Sequence, residues 1–284
     1  MFLDNLSNRL SNLGHREDAL EAVQEAVQLY RQLAKDRPAT FNPDFARSLN
    51  NLSNRLSDLG HREDALEVIR EAVELRRQLA KDRPAVFNHK LALSLDNFSN
   101  RLSNLGHRED ALEAVQEAVQ LYRQLAKDRP VAFNPDFAIS LTILSNRLSE
   151  LGHQEDALDA IREAVELRRQ LTKDRPAMFN PSLASSLDNL SNCLSHLGHQ
   201  DDALEAIREA VELRRQLAKD RPAAFNPDLA MSLNNLSNRL SDLGDHEDAL
   251  IATQEANTLV PPYQFQTPLS ITHRMTAACN LTCI

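Results

Sequence analysis

Between residues 45 and 59 the apolar positions Phe45, Leu49, Leu52, Leu56 and Leu59 step by four, three, four and three. That spacing puts them on one face of a helix. Gly60 ends this helix, because a left-handed backbone costs glycine little. A second helix follows from about His61, with Ala65, Leu66, Ile69, Ala72, Val73 and Leu79 as its apolar face. Glu63, Asp64 and Glu67 at its start and Arg76, Arg77 and Lys81 at its end suit the helix macrodipole. Arg83 precedes Pro84 and is biased away from helix, so the second helix ends about there. Upstream, Asn42-Pro43-Asp44 predicts the start of the first helix, with Asn42 as cap and Pro43 at the first helical position. The segment through Phe87 to Asn88 is then expected to be a linker.

The same hairpin recurs with a period of 46 residues, marked by Gly14, Gly60, Gly106, Gly152, Gly198 and Gly244. Self-similarity at such a period predicts an array in which each unit buries its apolar face only against its neighbours. The expected units are residues 1–38, 39–84, 85–130, 131–176, 177–222 and 223–259. Each is a helical hairpin, with a first helix of about 17 residues and a second of about 20. Met1 falls where a first helix should already be under way. Residues 260–284 leave the pattern, with Pro261, Pro262 and Pro268 and few charges, and are expected to form a divergent, flexible tail. Residues 3–38 and 95–130 differ at one position only, Leu6 against Phe98, so a two-repeat block was duplicated.

Composition narrows the function classes. Net charge is −9, which argues against binding nucleic acid through phosphate neutralisation. No run of about 18 apolar residues exists, so no membrane helix is predicted. The opening MFLDNLSNRLSNLG does not read as a signal peptide. Three cysteines are too few for a disulfide framework, which places the chain in a reducing, cytoplasmic compartment. No phosphate loop and no nucleophile–base signature occurs, so no enzymatic activity and no cofactor are expected.

Leu49, Leu52, Ser53, Leu56, Gly60, Ala65, Ile69 and Ala72 resemble the tetratricopeptide repeat signature of large and small residues. Ser53 stands where glycine is usual. The usual unit has about 34 residues, so this one is about twelve longer. The long form, with LNNLS, EDAL and a closing proline, is similar to the repeats of kinesin light chain and of related fungal and bacterial arrays. The resemblance implies an all-α, right-handed α-solenoid of about six helix-turn-helix repeats. It also implies a concave groove, lined by first helices, that binds a protein or peptide.

Helical geometry names the groove wall. Arg47, Asn50, Asn54 and Ser57 lie off the apolar stripe of the first helix and share another face. The equivalent places hold Asp96, Asn100 and Ser103, then Asn146, then Asp188 and Asn192, then Asn234 and Asn238, with Asn8 in the first unit. An asparagine ladder of Asn8, Asn54, Asn100, Asn146, Asn192 and Asn238 is therefore expected along one wall. Amides both donate and accept, so such a ladder suits an extended peptide backbone. The same amides could instead bridge neighbouring helices. Arg47, Leu93, Ile139, Ser185 and Met231 vary beside the ladder and are expected to set specificity. Asp4, Asn50, Asp96, Thr142, Asp188 and Asn234 include no lysine, which argues against a clamp for a C-terminal carboxylate.

Other signals have plainer readings. His15, His61, His107, His153 and His199 are a repeat apart and do not gather into one metal site. Arg76, Arg77, Lys81 and Arg83 form either a basic stripe or dipole compensation. Cys193 replaces the arginine found at Arg55 and its equivalents. Cys279 and Cys283 resemble part of an iron–sulfur motif but lack the third cysteine. Near-identical repeats also make self-association through their ends an alternative role, and a sensor fragment of a larger signalling protein is another.

Overall fold

The computed structural model describes residues 2–259. Among them it contains twelve helices and no strand: α1 Phe2–Asn12, α2 Arg16–Asp36, α3 Pro38–Asp58, α4 Arg62–Asp82, α5 Pro84–Asn104, α6 Arg108–Asp128, α7 Pro130–Glu150, α8 Gln154–Asp174, α9 Pro176–His196, α10 Gln200–Asp220, α11 Pro222–Asp242 and α12 His246–Leu259. The expected tail, with Cys279 and Cys283, lies outside the described residues. The chain divides into two compact units, Met1–His199 and Gln200–Ile284. In the first unit α1 to α9 stack in order, and each helix packs on the next. Consecutive first helices (α1, α3, α5, α7 and α9) also touch one another. In the second unit α10, α11 and α12 pack in the same serial way.

The turn inside each hairpin follows from its glycine. Gly60 has φ +85, and its N–H donates to the Ser57 carbonyl at 3.0 Å while the His61 N–H reaches back to Leu56 at 2.9 Å. These two bonds satisfy carbonyls that the helix end would otherwise orphan. The joint between hairpins is tighter than the sequence suggested. The first helix starts at Pro38, not at Asn42, and runs for 21 residues with Pro43 inside it. Arg37, held extended before Pro38, is the one residue between α2 and α3. Pro38 takes the first helical position, where no N–H is needed. Pro43 lies early enough in the helix that only one backbone bond is lost. The expected linker is therefore helix.

The apolar stripe packs as its spacing predicts. Leu49, Ile69, Leu95, Leu141 and Ile161 are fully buried in the first unit, and Ile207 and Leu233 in the second. A column of small residues lets paired helices approach closely. Ala19, Ala65, Ala111 and Ala157 are buried, and their carbonyls accept from Ser7, Ser53, Ser99 and Ser145 at 2.7–2.8 Å. Ser53 thus has a structural reason to stand where the signature has glycine: it is small and it ties the two helices together. On the surface, consecutive second helices are bridged by Arg31–Glu71, Arg77–Glu117 and Arg123–Glu163 at 2.5–2.7 Å. Such exposed pairs contribute little each.

A Cβ at Gly152 would meet no atom within 4 Å, although φ is +83. Gly152→Ala should therefore cost about 1–2 kcal/mol from the left-handed backbone alone. Urea unfolding followed by circular dichroism checks this; an unchanged midpoint would show that the turn relaxes.

Candidate functional site

The face shared by α3, α5, α7 and α9 has two layers. The inner layer is a buried polar seam between consecutive first helices. Ser48 donates to Asp4 at 2.7 Å, Ser94 to Asn50 at 3.2 Å and Ser140 to Asp96 at 2.7 Å. Asn51 adds a bond to Asp4 at 3.2 Å, and Asn97 one to Asn50 at 3.1 Å. The preceding second helix reaches into the same seam. Arg76 donates to Ser94 and, at 2.7 Å, to the Lys90 carbonyl. Arg168 donates to Ser186 and, at 3.1 Å, to Thr142. In the second unit Arg214 donates to Ser232 and, at 3.0 Å, to the Asp228 carbonyl.

This seam corrects the sequence reading at four places. Asn50, Asp96 and Asp188 are 6%, 5% and 5% exposed, so a ligand on the open face does not reach them. The Asn50 and Asp96 side chains sit between helices because the serine of the next first helix, set within its apolar stripe, needs an acceptor. Arg76 likewise forms neither a basic stripe nor a dipole partner, since it is buried in the seam. Nothing about Ser48 or Ser94 alone reveals this; the signal is their recurrence opposite a polar residue 44 positions earlier.

The outer layer holds the rest of the predicted wall. Asn54, Asn100 and Asn192 are half-buried, and Asn8 and Asn146 are exposed. In the second unit Asn234 and Asn238 are exposed. Part of the ladder is already engaged: Arg101 donates to the Asn54 amide oxygen at 2.9 Å and Arg147 to that of Asn100 at 3.4 Å. Arg147 also donates to Ser103, which in turn donates to Glu150 at 3.0 Å. Ser57 is half-buried. Cys193 takes the place of that arginine in α9, is buried, and lies 3.7 Å from the Ser145 hydroxyl. Arg47 pairs with Asp44 at 2.8 Å and with Asp4 at 3.5 Å. At the equivalent place Leu93 and Ile139 are 39% and 48% exposed.

Electrostatics differ sharply along the seam. Burial pushes the Asp96 carboxyl up to about 7, the Ser140 bond opposing and Asp136 adding to the rise. The sequence explains the missing compensation. Where Asp4 has Arg47 and Asn51, Asp96 has Ile139 and Ile143. Burial also raises Tyr122, and the Asp96 charge adds to this. Tyr122 is fully buried, and its hydroxyl has no hydrogen-bond partner among the described residues. Burial pulls Arg76 and Arg168 down to about 10, still charged at neutral pH.

The sign of the linkage follows from the raised value. The fold disfavours ionised Asp96, so its contribution is intact below about pH 4, the unfolded carboxyl value. It is lost as pH rises through about 7. Asp96→Asn should abolish this loss, because Asn50 shows that an amide fits the place. Unfolding by urea at pH 5 and pH 8 should show wild type weakening by about 1–4 kcal/mol more than the variant. Parallel curves for the two proteins would count against a strained carboxylate.

Comparison with known proteins follows the same lines. The tetratricopeptide repeat family profile matches residues 1–39, 45–84, 91–130, 137–175, 183–223 and 229–256. Comparison with curated proteins finds no match. Among solved structures, BtubC (BKLC) from P. vanneervenii is 20% identical with a TM-score of 0.69, over 89% of this chain and 94% of that one. A putative kinesin light chain from Podosopora anserina with nearly identical repeats is 15% identical with a TM-score of 0.59, over 75% and 93%. The apo form of RapI is 14% identical with a TM-score of 0.62, over 91% and 81%. At these identities the likeness is one of fold, a solenoid of helical hairpins. The sequence profile covers all six units, and the chain belongs to the tetratricopeptide repeat family.

Proposed function

We propose that the outer layer of the first-helix face binds an extended segment of a partner protein, and that the chain works as a non-catalytic scaffold in the cytoplasm. The family is typically one of protein-interaction modules. No described helix is long and apolar enough to cross a membrane. The observation that carries the reading is the pair Leu93 and Ile139. Two large apolar side chains stand exposed at the same place of successive first helices, where packing does not require them. Asn100 and Asn146 lie two turns further along the same helices. Packed helices lie about 8–10 Å apart, and an extended chain rises about 3.3 Å per residue. Neighbouring helices would therefore meet side chains about three residues apart, while the amides bond the backbone between them. Asn146 suits this best, because Cys193 supplies no guanidinium to occupy it.

Peptides selected by phage display against the whole chain provide the probe. Leu93→Asp with Ile139→Asp should weaken the selected peptides at least about tenfold, the scale of losing two buried apolar contacts. Asn54→Ala with Asn100→Ala and Asn146→Ala should weaken them independently of peptide sequence. Unchanged affinity in both variants would overturn the reading.

A further inference from the structure

The surface between α6, α7 and α8 opens into a cleft of about 370 Å³. It lies between consecutive second helices, apart from the first-helix face. Leu144, Leu148 and Ala160 form part of its wall, and Asp156 and Asp159 stand beside them. Larger side chains stand at the equivalent places in two other hairpins. Val68 holds the place of Ala160 in the second hairpin, and Phe98 that of Leu144 in the third. Both larger side chains pack against the core.

The charge around the cleft is not balanced. Arg123 and Glu163 both line it and pair at 2.5 Å, so they cancel. Asp156 and Asp159 have no ion pair or hydrogen bond from another side chain among the described residues. Gln116 on the facing wall is neutral, whereas the second hairpin has Arg70 at that place. A cleft in the same register occurs in the second unit, about 230 Å³ in volume. There Arg208 replaces Gln116 and Ile251 replaces Asp159, and the acidic excess is gone.

We propose that the cleft between α6, α7 and α8 receives a lysine or arginine side chain of a partner protein. An apolar wall beside two unpaired carboxylates matches such a side chain, whose methylene stem packs on apolar surface while its head stays polar. The excess acid rejects an acidic or neutral chain and speeds encounter with a basic one. The cleft is thus a second contact point, separate from the first-helix face.

The test uses the whole chain and a fluorescein-labelled peptide with three copies of Leu-Lys-Lys-Leu, read by anisotropy. Asp156→Asn with Asp159→Asn should weaken binding about tenfold, as expected for two ion pairs of ordinary strength. Ala160→Phe, which fills the cleft, should weaken it without changing charge. Asp64→Asn with Glu67→Gln removes the same charge from the equivalent place in the second hairpin and should leave affinity unchanged. Leu93→Asp with Ile139→Asp should leave the wild-type dependence on the cleft intact, whatever becomes of the first-helix face. No binding by the wild type overturns the proposal, and so does an equal loss in the Asp64/Glu67 variant, which would reduce the effect to general surface charge. If Ala160→Phe fails to fold by circular dichroism, the two charge variants decide the matter alone.

Discussion

The hydrogen bond from a buried serine to the first helix before it governs how successive hairpins meet. Ser48, Ser94 and Ser140 lie fully inside the array, and each needs an acceptor at a fixed height on its neighbour. Apolar stripes alone tolerate sliding, because leucine faces are interchangeable. A buried donor and acceptor tolerate it poorly, since slippage leaves both without partners in a medium that penalises this by about 1–3 kcal/mol per group. The seam therefore sets register, and the hydrophobic stripe supplies most of the driving force around it.

The seam has two chemistries that alternate. Tyr30 and Tyr122 accompany Asp4 and Asp96, whereas Arg76 accompanies Asn50 and Arg168 accompanies Thr142. A tyrosine brings no charge to the buried acid, and an arginine brings its own charge to a neutral acceptor. Over the first four hairpins, joints of one kind recur every second hairpin. This gives a physical meaning to the near-identity of residues 3–38 and 95–130: the pair of hairpins, not the single hairpin, is the unit whose interfaces are compatible. It also shows why Asp96 is strained. The isoleucines at 139 and 143 make the open face of α7 apolar and remove the cation and amide that serve Asp4. One substitution pattern thus leaves apolar surface exposed and weakens the joint beneath it.

Much of the fold was legible because helices announce themselves by period and glycine. Phe45, Leu49, Leu52 and Leu56 are buried as their spacing required, and Gly60 turns the chain with positive φ. The joint at Arg37-Pro38 was misread because Asn42-Pro43-Asp44 is a good cap signal and local chemistry does not show that a longer helix packs better. The candidate face was half legible. Asn54, Asn100 and Asn146 are at least partly exposed, but the row containing Asn50 and Asp96 faces inward. Those residues are polar, and a one-helix projection treats a polar residue off the apolar stripe as solvent-facing. Only the next helix, which brings a serine, converts that position from surface to seam. The cleft beside Ala160 was invisible for a related reason, since its wall is assembled from side chains of three different helices.

The account stands most directly on urea unfolding of Ile139→Arg with Ile143→Asn at pH 8, beside the wild type. These substitutions give Asp96 the partners that Asp4 already has. The seam predicts a gain of about 1–3 kcal/mol, even though two isoleucines are lost. Equal or lower stability would contradict it, and would mean that the joint is held by apolar packing with the polar row as a bystander.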